Sequence, residues 1–226
     1  VKHSNISDYK FERLYRILFN EQMFYQAYQR IASKKGNMTP GTDGKTVDGM
    51  SIERIERLIA CLRDETYKPH PAKRVYIPKK NGKMRPLGIP TMRDRAMQAL
   101  YLMALEPVTE TTADANSYGF RKFRSTADAI DALHRWLSRD CSPQWILEGD
   151  IKGCFDHISH EWLLDNVRID KHILGKWLKS GVVFNKLLQP VVEGTPQGGI
   201  ISPTLANAAL DGMDCDYALS AFAGLH

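Results

Sequence analysis

Apolar residues recur at helical spacing in two stretches near the start of this chain. The first stretch predicts an amphipathic helix from the stripe Phe11, Leu14, Tyr15, Leu18 and Phe19. The second follows Ser51, a residue type that caps helices, and predicts a helix from Ile52, Ile55, Ile59 and Leu62. Between them, residues 36–49 are rich in Gly, Thr and Asp, which predicts a loop.

Extended segments replace the helical pattern in three places. Residues 74–90 contain two apolar runs separated by Asn81 and Gly82, which predicts a β-hairpin. A hairpin-like stretch follows at residues 182–192. Residues 145–147 predict a short apolar strand that runs directly into Asp150.

Helices are predicted for much of the rest of the chain. One covers residues 94–105, and two more cover residues 160–167 and 172–181. Another starts at Ser125, with Asp128 three residues on, and should turn Ile130, Leu133 and Leu137 inward. Pro203 should open a final helix at its first turn. The fold class is therefore α+β, helix-rich with a basic β-hairpin and a small antiparallel sheet.

Charge is divided unevenly along the chain. Residues 1–100 carry 20 Lys and Arg against 10 Asp and Glu, and residues 101–226 carry 11 against 16. A cationic half favours a polyanionic partner, whereas an acidic half can gather carboxylates for divalent metal ions. The alternative is a basic surface that is merely solvated. There is no run of 18 apolar residues, so we expect no membrane partner.

The four cysteines are widely spaced and form no C-x-x-C pair, which argues against a disulfide framework or a zinc ribbon. Cys154, His157 and His160 are three residues apart and superficially resemble metal ligands. A structural zinc site would need a fourth ligand and a tight pair, so we expect none here.

The segment that begins at Asp150 is the first candidate for chemistry. A carboxylate at the end of a buried strand, followed by a tight turn, can serve as a metal ligand at a sheet edge. Gly153 would let the backbone approach a phosphate closely, and the ring of Phe155 could press on a sugar. In the alternative interpretation, Asp150 caps a turn and Phe155 packs in the core.

Two further features could bind a nucleotide. Residues 194–203 form a loop in which Gln197 lies between glycines, and such a loop can place an amide and bare backbone against a base, although many such loops are only turns. The hairpin gathers cations suited to a triphosphate, but Lys80 and Lys83 at its tip fit a solvated charge run equally well. The cations are Lys73, Arg74, Lys79, Lys80, Lys83 and Arg85.

Five blocks, in this order, resemble the reverse transcriptase family, specifically the proteins encoded by group II introns, often called maturases. The blocks are residues 41–44 (GTDG), 75–95 (VYIPKKNGKMRPLGIPTMRDR), 116–121 (NSYGFR), 149–156 (GDIKGCFD) and 194–203 (GTPQGGIISP). The resemblance implies a right-hand polymerase fold. We expect an N-terminal extension at residues 1–40, fingers at 41–140 and a partial palm at 141–226.

The resemblance also implies roles for individual residues. Asp150 would be the catalytic metal ligand, beside the carbonyl of Ile151, and the amides around Gly153 and Cys154 would hold the triphosphate. Phe155 would be the steric gate against a ribose 2′-hydroxyl. Nucleotide phosphates would be gripped by Lys79 and Arg85, with Gln197 beside the nucleotide and template. RNA would be bound by Lys34, Lys35, Lys73, Arg74, Arg93 and Arg95.

The implied function is that of an RNA-directed DNA polymerase that uses two Mg²⁺ ions and also assists RNA splicing as a maturase, in support of retrotransposition. Its partners would be group II intron RNA, an RNA template with a DNA primer, and deoxynucleoside triphosphates. The alternatives are a retron-type reverse transcriptase, an RNA-dependent RNA polymerase, or a purely RNA-binding splicing factor. We expect a bacterial cytoplasmic location, or an organellar one.

The family takes two further carboxylates from a Tyr-x-Asp-Asp hairpin, and these 226 residues contain no such motif. Asp211, Asp214 and Asp216 are predicted to be a solvated face of the last helix. We therefore expect this chain alone to be inactive in polymerisation. Apolar surface left open by missing parts could make it a homodimer.

Overall fold

The computed structural model describes residues 14–49, 51–146 and 148–212. Phe11, Leu147, Asp214 and Asp216 lie outside these ranges, so the predictions on those residues are not addressed by the structure. No described helix is long and apolar enough to cross a membrane.

Seven α-helices are assigned in the described ranges. They are α1 (Glu21–Ala32), α2 (Ile52–Arg63), α3 (Met92–Thr112), α4 (Thr126–Leu137), α5 (His160–Asn166), α6 (Lys171–Leu178) and α7 (Ser202–Leu210). Short 3-10 helices occur at Leu14–Phe19, Val47–Gly49 and Cys154–Asp156. The long helix α3 is central, because it is buried along most of its length and α1 and α7 pack against it.

The four strands form one sheet with the order β2-β1-β3-β4. They are β1 (Ala72–Pro78), β2 (Met84–Ile89), β3 (Val182–Phe184) and β4 (Leu187–Gln189). Both sequence-adjacent pairs are antiparallel, but β1 and β3 run parallel. The α+β class is confirmed, and the sheet is mixed rather than antiparallel, because the two hairpins join through strands that point the same way.

Most predicted elements are present. Helix α2 begins after Ser51, both hairpins form, and α5, α6 and α7 lie where they were expected. The capping box is present at Ser125, where its hydroxyl accepts from the amide of Asp128 and the Asp128 carboxylate accepts from the amide of Ser125. Helix α3 is longer than predicted because it continues through Pro107, where buried Val108 packs into the core.

The N-terminal stripe forms a 3-10 helix in its described part rather than an α-helix, and Leu18 is buried. Helix α1 follows it and was not predicted as a separate element. Its signal is in the sequence: Asn20 caps it, and Phe24, Ala27 and Ile31 recur at helical spacing and are buried. These residues attach the N-terminal region to α3.

The prediction that α4 turns its apolar residues inward was wrong. Ile130 and Leu133 are 67% and 57% exposed, Leu137 is also exposed, and only Ala132 of this helix is buried. The helix is amphipathic as predicted, but it makes few contacts with the other described elements. Periodicity identifies the apolar face of a helix and says nothing of what covers it.

The predicted strand before Asp150 was also wrong for the residues that the structure describes. Trp145 and Ile146 are 92% and 70% exposed and belong to no strand. A strand needs a neighbour for its backbone hydrogen bonds, and no described strand pairs with this segment. Asp150 therefore lies on exposed irregular chain rather than at the end of a buried strand.

A buried carboxylate holds the start of α3 to the surrounding elements. Asp94, which is 1% exposed, accepts hydrogen bonds from the hydroxyls of Tyr67 at 2.8 Å and Thr91 at 2.6 Å, and from the amide of His70 at 3.0 Å. The indole of Trp177 donates to Tyr67 Oη at 3.0 Å. Burial, followed by the charge of Asp94, raises the pKa of Tyr67 well above its ordinary value, so this hydroxyl stays a donor.

Asp94→Ala should lower the free energy of unfolding by about 3 kcal/mol, because two buried hydroxyl donors and one part-buried amide lose their acceptor. Urea denaturation of the purified chain measures this change. Asp165→Ala is the matched control, since Asp165 pairs with Lys171 at 2.9 Å on the surface and its loss should cost less than about 1 kcal/mol. Equal effects of the two substitutions would contradict the assignment.

Candidate functional site

The basic hairpin and the glycine-rich loop, two features that are far apart in sequence, meet in the structure. Arg85 Nε on β2 donates to Gln197 Oε1 at 2.8 Å, across 112 positions of sequence. Three residues further along β2, the amide of Gly88 donates to the carbonyl of Gln197 at 2.6 Å. The side chain and the main chain of Gln197 are therefore both held by β2.

Two glycines let the loop approach its neighbours closely. Gly198 has φ +111°, and a Cβ there would lie 2.6 Å from the carbonyl oxygen of Gly88. Gly194 has φ +79°, and its Cβ would lie 2.6 Å from the carbonyl oxygens of both Phe155 and Asp156. Any other residue at these positions would meet backbone that cannot move aside, in addition to the strain of a positive φ.

The far end of the loop is fixed by the N-terminal part of α7 and by α3. Ser202 Oγ donates to the carbonyl of Pro196 at 3.0 Å, and Gln98 Oε1 accepts from the amide of Ile200 at 2.8 Å. Gln98 was not among the predicted site residues. Its signal was a polar amide within the apolar pattern of α3, where a buried amide needs a hydrogen-bond partner.

The segment after Asp150 forms a tight turn against the same loop. Gly153 has φ +66° and precedes the 3-10 helix Cys154–Asp156. The carbonyl of Phe155 accepts from the amide of Thr195 at 2.7 Å, and the carbonyl of Ile158 accepts from the amide of Gly194 at 2.7 Å. The loop is therefore bonded both to the Phe155 turn, through these two bonds, and to the hairpin, through Gln197.

Phe155 is half-buried and is held on one side by another aromatic ring. Phe120 meets it edge to face, with ring centroids 6.0 Å apart. Phe155 also lines a cavity of about 230 Å³ whose wall includes Arg74 of β1, Asp156 and Gln197. One cavity thus brings together residues from the hairpin, the turn and the loop.

The histidines that resembled metal ligands are engaged elsewhere. His157 Nδ1 lies 3.1 Å from Glu193 Oε1, and His160 Nε2 lies 2.7 Å from the carbonyl oxygen of Gly194. Burial lowers the pKa of His160, and it raises the pKa of the Cys154 thiol, assisted by Asp150 and Asp156. Both imidazoles are thus engaged by the protein itself, which favours a structural role for this trio.

Asp150 by itself does not fit a site for two metal ions. It is exposed, and its neighbour Ile151 is half-buried. Among the residues that the structure describes, no group of three or more His, Cys, Asp or Glu side chains is placed to hold an ion. Asp211, at the end of α7, instead accepts a hydrogen bond from the amide of Asp114 at 2.9 Å.

The predicted RNA-binding residues divide into two groups. Lys34, Lys35 and Lys73 are exposed, and Arg74 and Arg93 are half-buried. Lys79, predicted to bind nucleotide, is exposed near the tip of the first hairpin. The lysines are fully open to a polyanion, and the two arginines are partly open to one.

Arg95 is a correction to the predicted RNA-binding set. It is 6% exposed, and its guanidinium donates to the carbonyls of Pro90 at 2.9 Å, Gly36 at 2.9 Å and Thr39 at 2.7 Å. Its donors are thus used inside the protein, where they hold the loop of residues 36–39 against the start of α3. Sequence charge alone does not distinguish such an arginine from one on the surface.

Comparison with known proteins finds similarity over most of the chain. The sequence profile of the family described as reverse transcriptase (RNA-dependent DNA polymerase) matches residues 77–224. The group II intron-encoded protein LtrA of Lactococcus lactis subsp. cremoris is 42% identical over 214 residues, which are 92% of this chain and 35% of LtrA.

Two other relatives have similar coverage of this chain. Protein YkfC of Escherichia coli is 40% identical over 218 residues, 91% of this chain and 57% of YkfC. The putative COX1/OXI3 intron 1 protein of Saccharomyces cerevisiae is 36% identical over 208 residues, 89% of this chain and 25% of that protein. The chain spans between a quarter and about three fifths of the length of these three relatives.

Gly194→Ala should destabilise the chain by more than Gly44→Ala does. Both glycines have positive φ, +79° and +68°, but a Cβ at Gly44 meets no atom within 4 Å. The control should therefore cost about 1 kcal/mol from backbone strain alone, and Gly194→Ala at least about 2 kcal/mol more. Chemical denaturation of both variants gives the difference, and equal losses would show that the loop does not press on the turn.

Proposed function

Since this chain belongs to the reverse transcriptase family, the RNA-dependent DNA polymerases, we propose that it forms the nucleotide-binding part of an RNA-directed DNA polymerase. The observation that carries the proposal is the hydrogen bond from Arg85 to Gln197, beside the cavity that Phe155 lines. It joins a cationic hairpin, suited to phosphates, to a glycine-rich loop, suited to a base, at one cavity.

The hairpin residues would bind the triphosphate. Arg85 uses Nε on Gln197, which orients the guanidinium and leaves its terminal nitrogens as donors to phosphate oxygens. Lys79, exposed near the hairpin tip, adds a mobile positive charge. The first amides of a helical turn have no partner within that turn, so those around Gly153 and Cys154 provide further donors.

Phe155 would select the sugar. Its backbone is held by the loop through the Phe155 carbonyl, and its ring packs edge to face on Phe120, so moving the ring away from the cavity would break the aromatic contact. A fixed ring at the position of a ribose 2′-hydroxyl excludes ribonucleotides by steric overlap. This role disfavours the RNA-dependent RNA polymerase alternative.

The metal expected for the family is Mg²⁺, which would supply charge neutralisation at the reacting phosphate. Asp150 and the carbonyl of Ile151 are the oxygen donors of this chain proposed for it. The described residues bring no further pair of carboxylates to Asp150, so the residues described here would contribute only part of such a site.

We further propose that the chain binds group II intron RNA and assists its splicing. LtrA is named as a group II intron-encoded protein, and the COX1/OXI3 relative as an intron protein, which favours this branch of the family over a retron-type enzyme. The exposed lysines Lys34, Lys35 and Lys73 belong to the half of the chain that carries 20 cationic against 10 acidic residues. We propose a bacterial cytoplasmic location, which is compatible with the relative from Lactococcus lactis, and an organellar location is the alternative.

Within the polymerase, we assign residues 1–40 to an N-terminal extension, residues 41–140 to fingers and residues 141–226 to part of a palm. The meeting of the hairpin with the loop is then a contact between fingers and palm. Phosphate binding and sugar selection would be shared across that contact.

The test is extension of a DNA primer on an RNA template, assayed with this chain and with any longer product of its gene. The active product should prefer deoxynucleotides, and Phe155→Ala should raise its relative use of ribonucleotides by at least about 10-fold, because the steric block is removed. Phe123→Ala is the matched control, since Phe123 is 102% exposed and should leave the preference unchanged.

Two results would contradict this proposal separately. Absence of RNA-templated extension by every product of the gene would contradict the polymerase function. Extension with an unchanged sugar preference in Phe155→Ala would contradict only the role of Phe155.

A further inference from the structure

A second site with unusual charge lies away from the Phe155 cavity. A pocket of about 400 Å³ opens between the loop that carries Asp43 to Thr46, helix α2 and the start of α3. It shares no lining residue with the cavity beside Phe155. Its wall combines one carboxylate, Asp43, with His70 and four cations, Lys45, Arg54, Arg57 and Arg93.

The positive charge of this pocket is only partly balanced within the described part of the chain, where Glu53 on α2 interacts with Arg57. None of its four cations forms an ion pair with a described carboxylate, whereas Arg121 elsewhere pairs with Glu110 at 2.7 Å. Asp43 accepts from the amide of Lys45 at 3.2 Å. Bringing four like charges together is unfavourable unless an anion joins them.

Arg93 is held in place on the pocket wall. Its guanidinium carbon lies 5.2 Å from the centre of the Tyr67 ring, which fixes the side chain by a cation–π contact. Its Nε is buried and has no hydrogen-bond partner in the described structure. Because this Nε is closed off from solvent, a ligand in the pocket would meet the rest of the half-buried guanidinium, whose charge is paired with no described carboxylate.

The shape of the pocket indicates something larger than a bare phosphate. Its floor is apolar, formed by buried Leu58 and Met92 and half-buried Cys61. Arg57 Nε donates to the carbonyl of Glu53 at 3.1 Å, which anchors the guanidinium and leaves its terminal nitrogens for an anion. A volume of this order is within the range of small-molecule sites, and an apolar floor with a cationic rim suits a nucleotide.

The surface next to the pocket favours an RNA strand as the ligand over a free nucleotide. The amide of Val47 donates to the carbonyl of Asn37 at 3.2 Å, so the loop that carries Lys45 is joined to the loop after Lys34 and Lys35. Both of these lysines are exposed. The basic surface therefore continues beyond the pocket, as binding to successive phosphates of a polymer requires.

We propose that this pocket binds one nucleotide of an RNA strand, with its phosphate among Lys45, Arg54, Arg57 and Arg93 and its base or sugar over Leu58 and Met92. The inference rests on the proposed RNA-binding function and names a site for it. Lys45, Arg54, Arg57 and His70 were not among the residues that the sequence predicted to bind RNA. The pocket is also distinct from the proposed site of the incoming nucleotide.

The test uses the purified chain and a short, fluorescein-labelled single-stranded RNA, with affinity measured by anisotropy across a range of salt concentrations. The double variant Lys45→Gln with Arg57→Gln should lose about 10-fold in affinity at low salt. The slope of its log affinity against log salt concentration should also be smaller in magnitude by about one to two, which corresponds to one or two lost phosphate contacts. Both side chains are exposed, so the fold should survive, and circular dichroism checks this. Lys186→Gln, in the turn between β3 and β4, is the control and should change affinity less than about 2-fold.

A second measurement does not depend on substitutions. Phenylglyoxal modifies accessible arginines, and mass spectrometry should show that RNA protects Arg54 and Arg57 from it. A deoxynucleoside triphosphate at the same phosphate concentration should protect them much less. Equal protection by the triphosphate, with displacement of RNA, would overturn the assignment to an RNA strand.

The remaining outcomes separate the two levels of the proposal. If the unmodified chain shows no salt-dependent RNA binding, the proposed RNA-binding function fails, and this inference fails with it. If the unmodified chain binds RNA but the double variant behaves like Lys186→Gln, RNA binding stands and the pocket assignment alone is wrong.

Discussion

The attachment of Gln197 to strand β2 is the contact on which the candidate site depends. Its side chain accepts from Arg85 and its carbonyl accepts from Gly88, so one residue is held at two points by a hairpin that precedes it by 112 and 109 positions. The loop around it can come this close only because Gly198 has no side chain. Without these bonds, the cationic hairpin and the Phe155 turn would not border one cavity.

The fold could be predicted from the sequence wherever the decisive interactions are local. The Asn81-Gly82 turn, the Ser125 capping box and the first-turn Pro203 act within a few residues of themselves, and the elements they predicted are present. The predictions of a strand at residues 145–147, as far as the structure describes them, and of an inward apolar face on α4 failed because each needs a partner surface. A pattern of apolar positions carries no information about whether that surface is present.

The sequence identified many of the residues of the candidate site, but it did not predict which of them contact each other. The glycine-rich loop and Arg85 were both identified, but nothing in the sequence states that Gln197 is the partner of Arg85. Arg95 shows the opposite failure, since a cation in a basic block turned out to bind backbone carbonyls. The pocket around Arg93 gathers cations from three separate segments of the chain, which only the three-dimensional structure can reveal.

The most direct test of this account is a double-mutant cycle at Arg85 and Gln197, with the affinity of the purified chain for a deoxynucleoside triphosphate as the readout. Arg85→Ala and Gln197→Ala should each weaken binding about 10-fold, and the double variant should be little weaker than either, because both act through one contact. Lys80→Ala, at the solvated hairpin tip, should change affinity less than about 2-fold. Losses that simply add, or no loss for Gln197→Ala, would contradict the claim that the hairpin and the loop form one nucleotide site.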